Sequence, residues 1–407
     1  IIEMIEKYHV GNLIFMQGTP NKQAILTNKY QSLSKLPMLI GFDGEWGLDM
    51  RLDNAYRFPW NMTLGAIRND SLVKQFGEHL GKHCKRLGIH VNFAPVVDVN
   101  VNPENPIIGN RSFGENKENV TQKAIAFTKG MQSLGVMASA KHFPGHGDTA
   151  TDSHHSLPVL DFSEERLDSI ELYPYKKIFD AGVTSVMTAH LSIPSLERDK
   201  KLPTSLSYNV TTKLLQEKLG FLGLIITDGL NMKGASNYAT SAEIDVAAIQ
   251  AGNDILLIPQ DVPATVKLIN KSLELKTLTE ERLDFSVRKI LKAKYWAGLH
   301  TYKPVELENL QEDLNTVEDE LLHRELVKNS ITVVKDIHGN IPIQNLKKSK
   351  IAYVNLGDDS GDYFVQMLNN YTKVDEVSDT NLDVLTSKLK PYNMVIIGFH
   401  KSNLHPW

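Results

Sequence analysis

Apolar and polar positions alternate along this chain in two textures. Short runs are apolar at nearly every position: VGNLIFM (10–16), LPMLIGF (36–42), HVNFAPVVDV (90–99), VMASAKHF (136–143), SVMTAHL (185–191), LGLIITD (222–228) and DILLIP (254–259). Such runs predict strands buried on both faces. Longer amphipathic stretches lie between them, and residues 69–87, 117–134 and 164–181 predict helices, the last closed by Ala181-Gly182. Ser163 and Thr279, each followed by Glu-Glu-Arg, read as N-caps with an acidic first turn. Strands apolar on both sides, each followed by a helix, indicate a parallel β/α architecture. A barrel lacking its first strand and a doubly wound sheet both fit seven such strands. The chemistry favours the barrel, where functional residues sit at the C-terminal ends of strands. Asp43, Asp98, Lys141, His142, His190 and Asp228 all fall there.

The pattern carries through a helix at 279–297 and Gly298, so residues 1–299 are expected to form the barrel. The polar, acidic segment 300–320 reads as a linker. A second β/α pattern follows, with ITVVKD (331–336), KIAYVNLG (350–357), a helix near 361–370 and MVIIGF (394–399). Residues 321–407 are thus expected to be part of an α/β sandwich domain. A length of 407 residues agrees with one barrel and a smaller partner. A net charge of −4 argues against non-specific nucleic-acid binding. The one cysteine, Cys84, excludes an internal disulfide framework and a Cys-rich zinc module. No run approaches the ~18 apolar residues of a membrane span.

Four of the 14 histidines fall within residues 142–155, in the segment Lys141-His-Phe-Pro-Gly-His-Gly-Asp-Thr followed by Asp152-Ser-His-His. Pro144, Gly145 and Gly147 force a loop directly after a strand. Packing alone does not call for so many histidines in one loop. One reading makes His154 a general acid/base, with Asp152 stabilising its protonated form. The other makes the histidines metal ligands, but Pro144 and Gly145 interrupt the helical spacing of His142 and His146. Asp228 ends a buried apolar strand; alone it would read as a helix N-cap, and beside an Asp/His loop it becomes a candidate nucleophile. In Asp43-Gly-Glu-Trp-Gly the two glycines permit a tight turn near a ligand. Arg111, in Asn-Arg-Ser-Phe-Gly, offers a planar donor fork to hydroxyls, although an isolated Arg is usually a surface ion pair.

Taken in order, DGEWG…R, NFAPVVDVN, NRSFG, KHFPGHGDT…DSH, TAH, ITDGLNM, AGNDILLIP and TEERLDFSVRKIL resemble glycoside hydrolase family 3, in its β-N-acetylglucosaminidase branch. The resemblance spans roughly residues 1–300. It implies a (β/α)8 barrel, here with its first strand apparently missing, followed by an α/β sandwich domain. It also implies a retaining exo-glycosidase acting on terminal β-linked GlcNAc, with a carbohydrate as its partner and no cofactor or metal. Asp228 then matches the nucleophile, His154 the acid/base and Asp152 its dyad partner. Asp43, Arg51, Arg111, Lys141 and His142 match sugar-hydroxyl ligands, and His190 is expected to help line the sugar pocket. The resemblance is bacterial, either cytoplasmic or exported with a targeting segment outside this chain. Gly229 departs from the Asp or Ala often found after the nucleophile, and Trp46 departs from the usual first motif. Neither change touches a matched catalytic residue. A β-glucosidase specificity, a phosphorylase, a metal-dependent hydrolase and a non-catalytic sugar-binding protein remain the competing readings.

Overall fold

The computed structural model describes residues 1–153 and 155–400. They fall into two compact units divided after Ile331. In the first unit, β1 (Asn12–Ile14), β2 (Leu39–Phe42), β3 (Val91–Asn92), β4 (Met137–Phe143), β5 (Ser185–Thr188) and β6 (Leu224–Thr227) pair in chain order, every pair parallel. A doubly wound sheet reverses its order at a switch point. An unreversed order is that of a barrel wall, with the helices outside.

The seventh expected strand, 254–259, is a single parallel bridge, Ile226 to Ile255. Here the Thr227 hydroxyl, not a carbonyl, accepts the Leu257 amide. The third expected strand, 90–99, is regular only at its start. Pro95 has no N–H to donate, and pairing with β4 resumes at the Val96–Lys141 bridge.

Each strand buries side chains in two directions. Ile40, Phe42, Ala138, Ala140 and Val186 join a cluster under the outer helices, while Leu39, Val91, Met137, Met187 and Leu224 fill the interior of the wall. The helices expected at 69–87 and 117–134 form as Asp70–Arg86 and Lys117–Ser133, capped by the side chains of Asn69 and Asn116. The stretch 164–181 is two helices, Glu164–Ser169 and Tyr173–Asp180. The chain breaks where Glu171 turns inward to Arg166, and Pro174 opens the second helix.

Residues 300–331 pack into the first unit. Val305, Leu310, Leu314, Leu322 and Leu326 are buried in the outer cluster. Arg86 donates to the Glu306 and Glu308 carbonyls, and Asp319 accepts from His79 and His83 at 2.8 and 3.0 Å. The segment expected to be a linker therefore covers one flank of the wall, and the unit boundary lies near 331, not 299.

In the second unit β7 (Ile351–Gly357) lies between β8 (Val374–Glu376) and β9 (Met394–His400), all parallel. Ile351, Tyr353, Val365 and Val374 form its core.

Candidate active site

A cavity of about 430 Å³ opens at the C-terminal ends of the strands. That is within the usual size range of small-molecule sites. Asp43, Arg51, Arg111, Lys141, His142 and Asp228 all line it, together with His146, Ser153 and Asn231. Ile14, Met16, Met50, Ile107, Phe93, Met187 and Met232 supply apolar wall.

Adjacent residues of a regular strand point to opposite faces, yet Lys141 and His142 both reach this cavity. The cause is local. The register between β4 and β5 shifts between Ala140 and Phe143, so the strand is irregular where these two residues sit.

Charged side chains on the β2 and β4 side form one connected network. Lys141 donates to Asp43 at 2.6 Å and pairs with Glu45 at 2.7 Å. Arg51 pairs with the other Asp43 oxygen. Arg111 forks onto Glu45 through Nε, at 3.0 and 3.1 Å, and Nη2, at 2.7 Å. Burial would raise the Asp43 and Glu45 carboxyls. The neighbouring cations outweigh it: Lys141 and Arg51 hold Asp43, and Arg111 and Lys141 hold Glu45, below the usual carboxylate range.

Asp98 plays the matching part for the loop after β4. It accepts from His142 Nδ1 at 2.7 Å and from the His146 backbone N–H at 2.7 Å. His142 Nε2 then faces Arg111 Nη2 at 3.3 Å. Gly147 lies where a Cβ would run into the Val99 carbonyl, so the loop can cross the segment after β3 only without a side chain there.

Asp228 is half-buried at the end of β6. Its backbone N–H donates to the Thr188 carbonyl at 2.9 Å. The Gly229 N–H donates to its Oδ1 at 2.7 Å, which fixes the carboxylate rotamer. Burial opposes its charge, but His142, His190, the Gly229 amide and Lys141 more than offset that and keep its pKa low. An ionised carboxylate with one oxygen anchored and the cavity in front of it is the arrangement a nucleophile requires.

The other expected residues are placed differently. His190 does not line the cavity. It is fully buried, with Nδ1 against the Ser205 hydroxyl at 2.7 Å and Nε2 against the Gly229 carbonyl at 3.0 Å. It therefore braces the turn that carries Asp228. Asp152 is half-buried and is not a lining residue; its carbonyl accepts from the His155 and Ser156 amides. His154 lies outside the described residues. Trp46 packs on Trp60, ring centroids 4.0 Å apart, and is not a cavity residue.

Motif reading gives Glu45 no role, and gives Asp98 none beyond its place at a strand end. Glu45 is 0 % exposed. Truncating it leaves Arg111 and Lys141 short of a buried partner, a change that typically costs about 3 kcal/mol or more. Glu45→Ala is expected to lower the urea midpoint clearly and to raise KM. An unchanged midpoint would contradict the network.

The low carboxyls also set a pH dependence. Asp43, Glu45, Asp98 and Asp228 all lie below their unfolded values of about 4. Their contribution to stability is present above that pH and is lost as pH falls through the folded values. His90 and His146, both held by burial at about 4 in the folded chain, already cost stability as pH falls below about 6.5, and the carboxyls add to the loss below about pH 4, so stability should fall on acidification. A midpoint that keeps rising on acidification to pH 3 would contradict this.

The chain is 36 % identical over 324 residues to beta-hexosaminidase A of Pseudoalteromonas piscicida, covering 72 % of this chain and 54 % of that protein. It is 29 % identical over 356 residues to a beta-N-acetylglucosaminidase/beta-glucosidase of Cellulomonas fimi, covering 86 % of this chain and 63 % of that protein. The chain thus spans little more than half the length of these relatives. Among solved structures, a glycoside hydrolase family 3 beta-N-acetylglucosaminidase from Paenibacillus sp. str. FPU-7 superposes with a TM-score of 0.81 at 30 % identity, over 97 % of this chain and 80 % of that one. Residues 1–293 match the Glycosyl hydrolase family 3 N terminal domain, and the chain belongs to that family.

Proposed function

We propose that this chain carries the catalytic site of a retaining exo-β-N-acetylglucosaminidase. It would remove terminal β-linked GlcNAc from peptidoglycan-derived or chito-oligosaccharide substrates. The observation that carries the reading is the convergence on one cavity of Asp228 with Asp43, Arg51, Arg111, Lys141 and His142. Relatives named for hexosaminidase activity support the sugar class.

In the first step Asp228 attacks the anomeric carbon while His154 protonates the leaving oxygen. In the second, His154 takes a proton from water, which attacks the glycosyl–Asp228 ester and releases the sugar. Ordinary retaining glycosidases use two carboxylates for these roles. Here an imidazole paired with Asp152 replaces one of them. Asp43, Lys141, Arg51, Arg111 and His142 bind ring hydroxyls, and hydrogen bonds that tighten at the transition state raise the rate.

The test is turnover on matched aryl glycosides. Aryl β-GlcNAc should be cleaved well and aryl β-glucoside at least about tenfold less well, the lower bound for a pocket that loses contact with one substituent. The reverse order would favour a glucosidase specificity, which the name of the Cellulomonas fimi relative also includes. Sugar-1-phosphate as the main product in phosphate buffer would favour a phosphorylase. Turnover is expected to survive an excess of chelator, and its loss would favour the metal-dependent reading.

A further inference from the structure

His146 lines the cavity, but both its ring nitrogens are already engaged by the loop that follows it. Nδ1 shares a hydrogen bond with the Thr149 hydroxyl at 2.8 Å, and Nε2 shares one with the Ser153 hydroxyl at 3.2 Å. The ring is 1 % exposed and sits edge-on to His142, centroids 5.9 Å apart. Its base is fixed from three sides. The His146 N–H donates to Asp98 at 2.7 Å, its carbonyl accepts from Asn105 at 2.8 Å, and Asn105 also reaches the Thr149 hydroxyl. Burial, with His142 alongside, pulls the imidazole down to about 4, so at neutral pH one nitrogen donates and the other accepts.

A second contact holds the same place in the loop from the opposite side. The Gly234 N–H, in the turn after β6, donates to the Ser153 carbonyl at 3.0 Å. A Cβ on Gly234 would lie 3.0 Å from that carbonyl oxygen and 3.1 Å from His190 Cβ, so the loop is seated against a surface that has no room for a side chain. Ser153 is thus gripped by its side chain from the β4 end and by its backbone from the β6 end. Segments that follow β6 and β4 thus meet at this residue, which stands directly before His154 in the chain.

We propose that His146 is a positioning residue that, through Ser153, sets where the acid/base loop stands over the cavity. The proposal rests on the reading of His154 and Asp152 as the acid/base pair. His146 with both nitrogens committed contributes geometry, not proton transfer. General-acid help matters only when the leaving group needs a proton, so the leaving group reports on the pin. A role confined to folding would lower all substrates alike.

Ser153→Ala and His146→Gln, singly and together, would be compared with His154→Ala on aryl β-GlcNAc glycosides from phenyl to dinitrophenyl, with thermal denaturation alongside. The expected result for each single variant is a loss of about tenfold in kcat/KM on the phenyl glycoside, the effect of one or two misplaced hydrogen bonds, and less than about twofold on the dinitrophenyl one. The double variant should be no worse than the poorer single variant, because both break one link. Equal losses on all leaving groups, or none, with His154→Ala still steep, would overturn the pin alone. A flat response in His154→Ala would remove the acid/base reading and the pin with it.

Discussion

Asp228→Ala is expected to abolish turnover of aryl β-GlcNAc, with kcat falling at least about 10⁴-fold, the order seen when the centre of a concerted catalytic unit is removed. The loss should appear with good and poor leaving groups alike, since bond formation at the anomeric carbon fails for both. Folding should survive. Asp228 is half-buried at a cavity wall, and its carboxylate accepts a local hydrogen bond from the amide of the next residue. The thermal midpoint should therefore move little, and sugar binding should persist, because Asp43, Lys141 and Arg111 are held by one another and by Glu45. A variant that kept wild-type turnover would show that another group attacks.

His154→Ala is the second large effect, and its signature differs. General acid–base help is typically worth about 10²–10⁴-fold. The variant should lose that much on a phenyl glycoside and far less on a dinitrophenyl glycoside. With the activated substrate the first step still runs, so the second step should become limiting and glycosyl–enzyme should accumulate as a burst. The pH profile should change as well. Asp228 is held ionised through the working range, so it does not set the limb on the alkaline side. That limb belongs to the proton donor and should vanish in His154→Ala. A variant with an unchanged alkaline limb and a uniform loss would place the acid/base elsewhere.

The frame of this fold is legible in the sequence because parallel strands bury both faces and therefore read as unbroken apolar runs. Six of those runs contain the six paired strands of the first unit. Helix starts at Ser163 and Thr279 are equally legible, since a capping side chain sits directly before the first turn. What stays hidden depends on distant partners. In 300–331 the charged surface dominates the composition, while the buried leucines at 310, 314, 322 and 326 are too widely spaced to stand out. Glu45 looks like part of a glycine turn until Arg111 and Lys141, 66 and 96 residues further on, close around it. His190 has the position of a ligand, at the end of a strand. Only the packing shows that Ser205 and the Gly229 carbonyl occupy its ring nitrogens. The cavity-lining residues are legible because barrel geometry brings strand ends together. The contacts that hold them in place are not, because each joins elements far apart in the chain.

The most direct test of the central claim is to trap the intermediate. The protein would be incubated with a 5-fluoro-GlcNAc fluoride, which slows release of the sugar more than its attachment, then digested and sequenced by mass spectrometry. The expected result is one added glycosyl mass on the peptide containing ITDGLNM, located on Asp228. Label on a different carboxylate, or inactivation with no covalent adduct and release of the α-anomer from natural β-linked substrate, would contradict it.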